Sequence, residues 1–160
     1  MKPKVYLETS VISYLAARPS RDVIIAGRQA ATLDWWENHR SRFEVFISAL
    51  VELEIDRGDP DQARRRREMV EKIESVAVSS TAAAISDLLL SSSAVPSHCE
   101  DDALHIGIAT AQGADYLLTW NFKHINNPRK VGEITRVVES LGYSAPKICT
   151  PDGLGGDTND

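Results

Sequence analysis

The sequence predicts an α/β fold: a parallel sheet covered on both faces by helices, a three-layer α/β/α sandwich. Three observations predict it. Short apolar runs alternate with segments of helical periodicity along the whole chain; capping residues, Gly and Pro mark the junctions; and neither an internal repeat nor a long linker divides the 160 residues. An apolar content of 42% is enough for one core at this length, so residues 1–150 are expected to form a single domain and 151–160 a disordered tail.

Taken in order, Val5-Tyr6-Leu7 reads as a short buried strand, with a helical run beginning near Val11. A long helix follows from Asp22 to His39, with Ile25, Ala26, Leu33 and Trp36 roughly on one side. Phe43 to Ile47 is the second strand, and Ser48 stands at the N-cap of a helix that Gly58 stops. Asp59-Pro60 opens a helix to about Glu74, and Val76-Ala77-Val78 is a third strand. Thr81 to Leu90 is helical, Pro96 breaks the chain, and Glu100 to Gln112 is the next helix, ended by Gly113. Asp115 to Thr119 makes the fourth strand, Pro128 to Leu141 a last helix, and Lys147-Ile148-Cys149 an edge strand.

Composition excludes several classes. The formal charge of -5 argues against a protein that coats nucleic acid by bulk electrostatics, so any nucleic-acid role is local. Cys99 and Cys149 lie fifty positions apart without a CxxC, which argues against a disulfide framework or structural zinc and points to a reducing cytoplasm. No apolar stretch approaches the length of about 20 residues needed to span a membrane.

In an open parallel sheet, ligands bind beyond the carboxyl ends of the strands. Glu8 follows the first strand, Glu52 and Glu54 lie just after the second, Asp101 and Asp102 open the helix at 100, and Asn121 follows the fourth strand. Asp102, His105, Ile106 and Ala109 share a helical stripe, and a carboxylate on a core-facing stripe is costly unless it is paired, hydrogen-bonded or metal-bound. The first-turn position of Glu100, Asp101 and Asp102 also suits the helix macrodipole. Acids converging from several strand ends would repel one another without a divalent cation, and hard oxygen ligands suit Mg²⁺ or Mn²⁺.

The pieces YLETS at 6–10, ISALVELEI at 47–55, DDALHIGIA at 101–109 and GADYLLTWNFKHINNP at 113–128 resemble, in order and spacing, the PIN-domain family, particularly its VapC-type ribonuclease toxins. The resemblance spans roughly residues 4–150. It implies a parallel α/β/α domain whose acidic cluster holds Mg²⁺ or Mn²⁺ and hydrolyses RNA. By matching motif, Glu8, Glu54, Asp102 and Asn121 are the implied catalytic and metal-binding positions, with Glu52 the lesser alternative to Glu54. Thr9, Ser10, Asp101, His105, Thr119 and Lys123 form an accessory set for orienting water, phosphate or a proton. The family usually carries Asp at the first position, so Glu8 shifts its carboxylate by about an ångström, a scale that can cost roughly 100-fold in rate. Asn121 stands where many members have Asp, and keeps a carbonyl oxygen while removing a charge. The implied partners are an RNA substrate, an antitoxin protein and a second copy in a homodimer. A PIN-like RNA-processing nuclease without an antitoxin, and a degenerate scaffold that binds without catalysis, are the alternatives. A HAD-type reading lacks its DxDx[TV] run.

Four other features stand out. Arg64 to Arg67 covers all sides of a helix and reads as a solvated surface rather than an RNA stripe. Adjacent Trp35 and Trp36 point about 100° apart on an α-helix, so one is expected in the core and the other at a partner contact, extended by Ile24, Ile25 and Leu33. His105 reads as a partly buried histidine donating to a nearby carbonyl, with a proton shuttle as the alternative. His98 and Cys99 invite a zinc reading, but His98 and His105 are seven apart and no third soft ligand is evident.

Overall fold

The structure, a computed structural model, describes residues 1–155. Five strands, β1 (Lys4–Leu7), β2 (Glu44–Ser48), β3 (Glu74–Val76), β4 (Tyr116–Leu118) and β5 (Lys147–Cys149), form one sheet in the order β3-β2-β1-β4-β5. Every neighbouring pair is parallel. The helices are α1 (Thr9–Ala16), α2 (Val23–Asp34), α3 (Ala49–Ile55), α4 (Pro60–Val70), α5 (Ser80–Ser91), α6 (Glu100–Ala111), α7 (Val131–Ser140) and α8 (Pro151–Leu154). The expected three-layer parallel α/β architecture is therefore the observed one.

The chemistry of the central strand explains its place. Val5, Tyr6 and Leu7 are fully buried, as a strand covered on both faces requires. Each aliphatic side chain buried this way contributes about 1.5–3 kcal/mol. From β1 the chain steps outward through β2 and β3, then restarts on the other side with β4 and β5. That reversal places the topological switch point between the carboxyl ends of β1 and β4, where Glu8 and Thr119 to Asn121 emerge.

Local signals set the helix boundaries. Asp22, Ser48, Asp59 and Ser79 accept N-cap bonds from the backbone N–H groups of Ile25, Val51, Gln62 and Ala82. Gly113 ends the turn after α6 at φ 70°, a left-handed conformation that glycine adopts without strain. The α5–α6 pair packs so closely that a Cβ on Gly107 would stand 2.4 Å from the Ala82 carbonyl oxygen.

Four expectations are corrected. Both Trp35 and Trp36 are buried, in the π-helical turn Trp35–His39 that follows α2, because different groups cover them: Trp35 packs against Phe43, with ring centroids 5.9 Å apart. Trp36 lies under the Arg40 guanidinium, 3.8 Å from its ring centroid, and Ile24 and Leu33 stay exposed without it. The third strand sits at Glu74–Val76, not 76–78: edge pairing with β2 fixes its register by backbone bonds, and Val78 is left exposed. The helix expected to reach Glu74 ends at Val70 in a turn closed by the Ile73 N–H on the Val70 carbonyl. Finally, the expected tail is ordered at Pro151–Leu154, where Pro151 opens a helical turn and is buried; 156–160 lie outside the described residues.

Candidate functional site

Three carboxylates reach the switch point from three elements, and each is oriented by protein donors on a single oxygen. Glu8, buried at the end of β1, accepts on Oε1 from Thr119 Oγ1 at 2.7 Å and from the Ser10 hydroxyl. Those two hydroxyls in turn accept the Asn121 N–H at 2.9 Å and the Trp120 N–H at 2.8 Å, tying the segment after β4 to the start of α1. Glu54, near the end of α3, accepts on Oε1 from Thr9 Oγ1 at 2.7 Å and pairs there with His105 Nε2. Asp102, in the first turn of α6, accepts on Oδ1 from Asn121 Nδ2 at 3.0 Å.

Behind Glu54 runs a buried chain of polar groups. His105 is fully buried, with Nε2 on Glu54 and Nδ1 2.7 Å from the Tyr6 hydroxyl, which is 2.8 Å from Ser48 Oγ. With Nε2–H donated to Glu54, Nδ1 accepts from Tyr6, Tyr6 accepts from Ser48, and Ser48 accepts the Val51 N–H at 3.3 Å. Every member is satisfied, which is what makes a buried polar network rigid. His105 therefore joins Tyr6 to Glu54 and does not donate to a carbonyl as expected.

The two half-buried acids are pushed in opposite directions. Burial works against ionisation of Glu54, but the hydrogen bonds from His105 and Thr9, with the Arg57 charge, outweigh it and hold the carboxyl below its usual range. Burial dominates at Asp102 and raises its pKa, aided by the nearby Glu8 charge and opposed by the Asn121 bond. For Tyr6, burial raises the pKa well above the usual tyrosine range, so it stays a protonated donor.

Asn121 enters the site in a different role from the one expected. Its Oδ1 accepts the backbone N–H groups of Lys123 at 3.2 Å and His124 at 3.1 Å, so both carbonyl lone pairs are used and none faces an ion. Its amide orients Asp102 instead. Glu52 is corrected too: it is exposed, accepts from Ser75 Oγ at 2.9 Å and borders a separate hollow with Arg67 and Glu71. Positions two apart lie about 200° apart around a helix, so Glu52 points away when Glu54 points in. Asp101 lines the cleft but pairs with Arg57 at 3.6 Å. Lys123 is exposed beside the cleft. The arginine run is engaged locally: Arg64 pairs with Asp61, Arg66 caps the Ile55 and Arg57 carbonyls, and Arg67 pairs with Asp56.

Tyr6 and Ser48 were legible only as a strand residue and a helix cap. The available signal was a tyrosine in a buried strand, since its hydroxyl needs a partner. His124 lies beside His98 and Cys99 but comes from a different segment, so the sequence carries no local signal of their proximity.

The donor set suits a hard divalent cation. Glu8 Oε2, Glu54 Oε2 and Asp102 Oδ2 have no protein donor among the described residues, and none of the three acids forms an ion pair with lysine or arginine there. The half-buried Asp102 carboxylate, its pKa raised by burial and without a lysine or arginine partner, is a group that a divalent cation would stabilise. Glu54 and Asp102 border an open cleft of about 430 Å³ together with His98, Cys99, Glu100 and Asp101. Among the described residues, Glu8, Glu54 and Asp102 do not form a group with all ligand atoms within 4.8 Å of one another.

No family model and no curated protein matches the chain. Among solved structures, its fold is similar to one described as VapBC2 from Rickettsia felis bound to a DNA fragment from their promoter, with a TM-score of 0.58 and 14% identity over 92% of this chain and 98% of that one. No helix among the described residues is long and apolar enough to cross a membrane. The likeness establishes a shared α/β/α fold, on which the acids of this chain stand at the switch point.

Proposed function

We propose that the protein is a metal-dependent endoribonuclease of the toxin type, with Glu8, Glu54 and Asp102 holding Mg²⁺ or Mn²⁺. The observation that carries this reading is that three carboxylates from separate elements converge at one switch point, each oriented through one oxygen and each leaving the other without a protein donor. When bound, such an ion supplies a water of lowered pKa and neutralises charge on a phosphoryl oxygen.

The chain's own residues set the geometry. Ser10 and Thr119 hold the Glu8 carboxylate, Thr9 and His105 hold Glu54, and Asn121 holds Asp102. Exposed Lys123 adds positive charge where an RNA backbone would approach. The longer Glu8 is accommodated by its two hydroxyl donors, which turn its end toward β4.

The partner in this reading is an antitoxin protein. Val23, Ile24 and Leu33 on α2 are exposed, and Tyr14, Leu15, Ala26 and Leu33 border an α1–α2 groove of about 260 Å³ suited to an apolar peptide. The likeness to a VapBC2 structure supports such a partner. The same exposed face suits a homodimer.

A non-catalytic scaffold that binds RNA or protein is the second reading, favoured by Asn121 spending both carbonyl lone pairs on the backbone. One experiment separates the two: Mn²⁺ and Mg²⁺ titration of cleavage on total cellular RNA, wild type beside Asp102→Asn, with product ends mapped. Metal-dependent cleavage leaving 5′-phosphate and 3′-hydroxyl ends, lost in the variant, is expected. A 2′,3′-cyclic phosphate would overturn hydrolysis by water, and no cleavage with either ion leaves the scaffold.

A further inference from the structure

Beside the acidic site lies a second group of potential ligands of different chemistry. His98 and Cys99 precede α6, and His124 comes from the segment after β4; one ligand atom from each lies within 4.8 Å of the others. The two imidazoles meet edge to face with centroids 6.1 Å apart. His98 is exposed while Cys99 and His124 are half-buried, so the group is open to solvent on one side.

We infer that His98, Cys99 and His124 form a binding site for a soft divalent ion of the Zn²⁺ class, which clips the segment after β4 to the approach of α6 at the rim of the cleft. Donor chemistry carries the inference. Two imidazole nitrogens and a sulfur are borderline-soft ligands that select zinc-like ions, whereas the neighbouring carboxylates select Mg²⁺ or Mn²⁺. A tetrahedral zinc centre places such atoms about 3.3–3.6 Å apart, from Zn–N and Zn–S bonds near 2.0 and 2.3 Å, so atoms already within 4.8 Å of one another close by at most about 1.5 Å. Side-chain rotation provides that movement at an open rim. Three protein ligands leave a fourth position for water.

Partial burial and the Asp102 charge raise the Cys99 thiol's pKa, so coordination replaces its S–H bond by a metal–sulfur bond and releases one proton to solvent. The clip is mechanically connected to the acids. His124 donates its backbone N–H to Asn121 Oδ1, and Asn121 donates to Asp102. Ion binding itself does not depend on the nuclease reading, and its test uses no RNA.

The test is titration of the purified, reduced full chain with Co²⁺, then Zn²⁺ competition. One Co²⁺ per chain with a thiolate-to-cobalt charge-transfer band, displaced by Zn²⁺ and not by excess Mg²⁺, is expected. Cys99→Ser should lose the band and Cys149→Ser keep it. His98→Ala, at an exposed position whose loss leaves the core intact, and His124→Ala should each weaken binding at least about tenfold. The absence of the band, its persistence in Cys99→Ser, or unaltered affinity in either histidine variant would each overturn the assignment.

Discussion

Asn121 holds Asp102 through a 3.0 Å bond from its side-chain amide, while its carbonyl oxygen is taken by the backbone N–H groups of Lys123 and His124. An aspartate in its place would keep the turn but set a second carboxylate against Asp102, whose pKa is already raised by burial. Asn121→Asp is therefore expected to destabilise the metal-free protein by about 1–3 kcal/mol at neutral pH. Added Mn²⁺ should restore most of that loss, because a cation offsets the repulsion. Denaturant melts with and without Mn²⁺ check both halves; a loss indifferent to the ion would separate Asn121 from the metal site.

Asp102 and Glu54 should respond to pH with opposite signs. Asp102 has a folded-state pKa above its ordinary value of 3.8, so its contribution to stability is present below 3.8 and is lost as pH rises through the raised value. Asp102→Asn should then be more stable than wild type at neutral pH without metal, by about 1 kcal/mol, although inactive. Glu54 has a folded-state pKa below 4.5, so its contribution is present above 4.5 and is lost as pH falls through the depressed value. Glu54→Gln should be less stable than wild type at neutral pH, with the difference closing in acid. Paired urea titrations from neutral pH into acid would reveal it, and the same sign for both variants would refute the electrostatic account.

The layers were legible because short buried strands and capped helices leave local marks. Val5 to Leu7, Ser48, Asp59-Pro60 and Gly113 each carry their own signal, and the observed strands fall on or beside the expected runs. The positions of Glu8 just past β1, Glu54 in the helix after β2 and Asp102 in the first turn of α6 were equally readable. What escaped depends on contacts between distant segments. Nothing near Tyr6 announces that its hydroxyl meets His105, and nothing near His98 announces His124. The tryptophan pair is of the same kind: Phe43 covers Trp35 and Arg40 covers Trp36, so neighbours that point in different directions are both buried.

The α5–α6 contact gives a prediction independent of any activity. At Gly107 an added Cβ meets the Ala82 backbone carbonyl at 2.4 Å, and backbone cannot rotate aside as a side chain can. Gly107→Ala should lower stability by about 1–3 kcal/mol despite alanine's better helix propensity, because separating the helices outweighs a gain of about 1 kcal/mol. Thermal unfolding would show it directly. An unchanged or raised Tm would mean that the two helices do not pack this closely.

Tyr6→Phe tests whether the buried chain behind Glu54 organises the site. The substitution keeps the ring and its packing on Phe46, 5.3 Å away between centroids, but leaves the Ser48 hydroxyl and His105 Nδ1 without their shared partner. Two buried polar groups then lose a bond, at a cost of about 1–3 kcal/mol. His105 also loses the contact that fixes its ring, so Glu54 keeps a less constrained donor. Outer partners of this kind typically change metal affinity about 10–100-fold. Tyr6→Phe is accordingly expected to weaken Mn²⁺ binding by at least about tenfold, read by electron paramagnetic resonance of free Mn²⁺ rather than by cleavage. Ser48→Ala removes the far end of the same chain but leaves the Tyr6–His105 contact, and should weaken Mn²⁺ binding less. Equal effects of the two variants would show that general destabilisation, not the orientation of His105, is responsible.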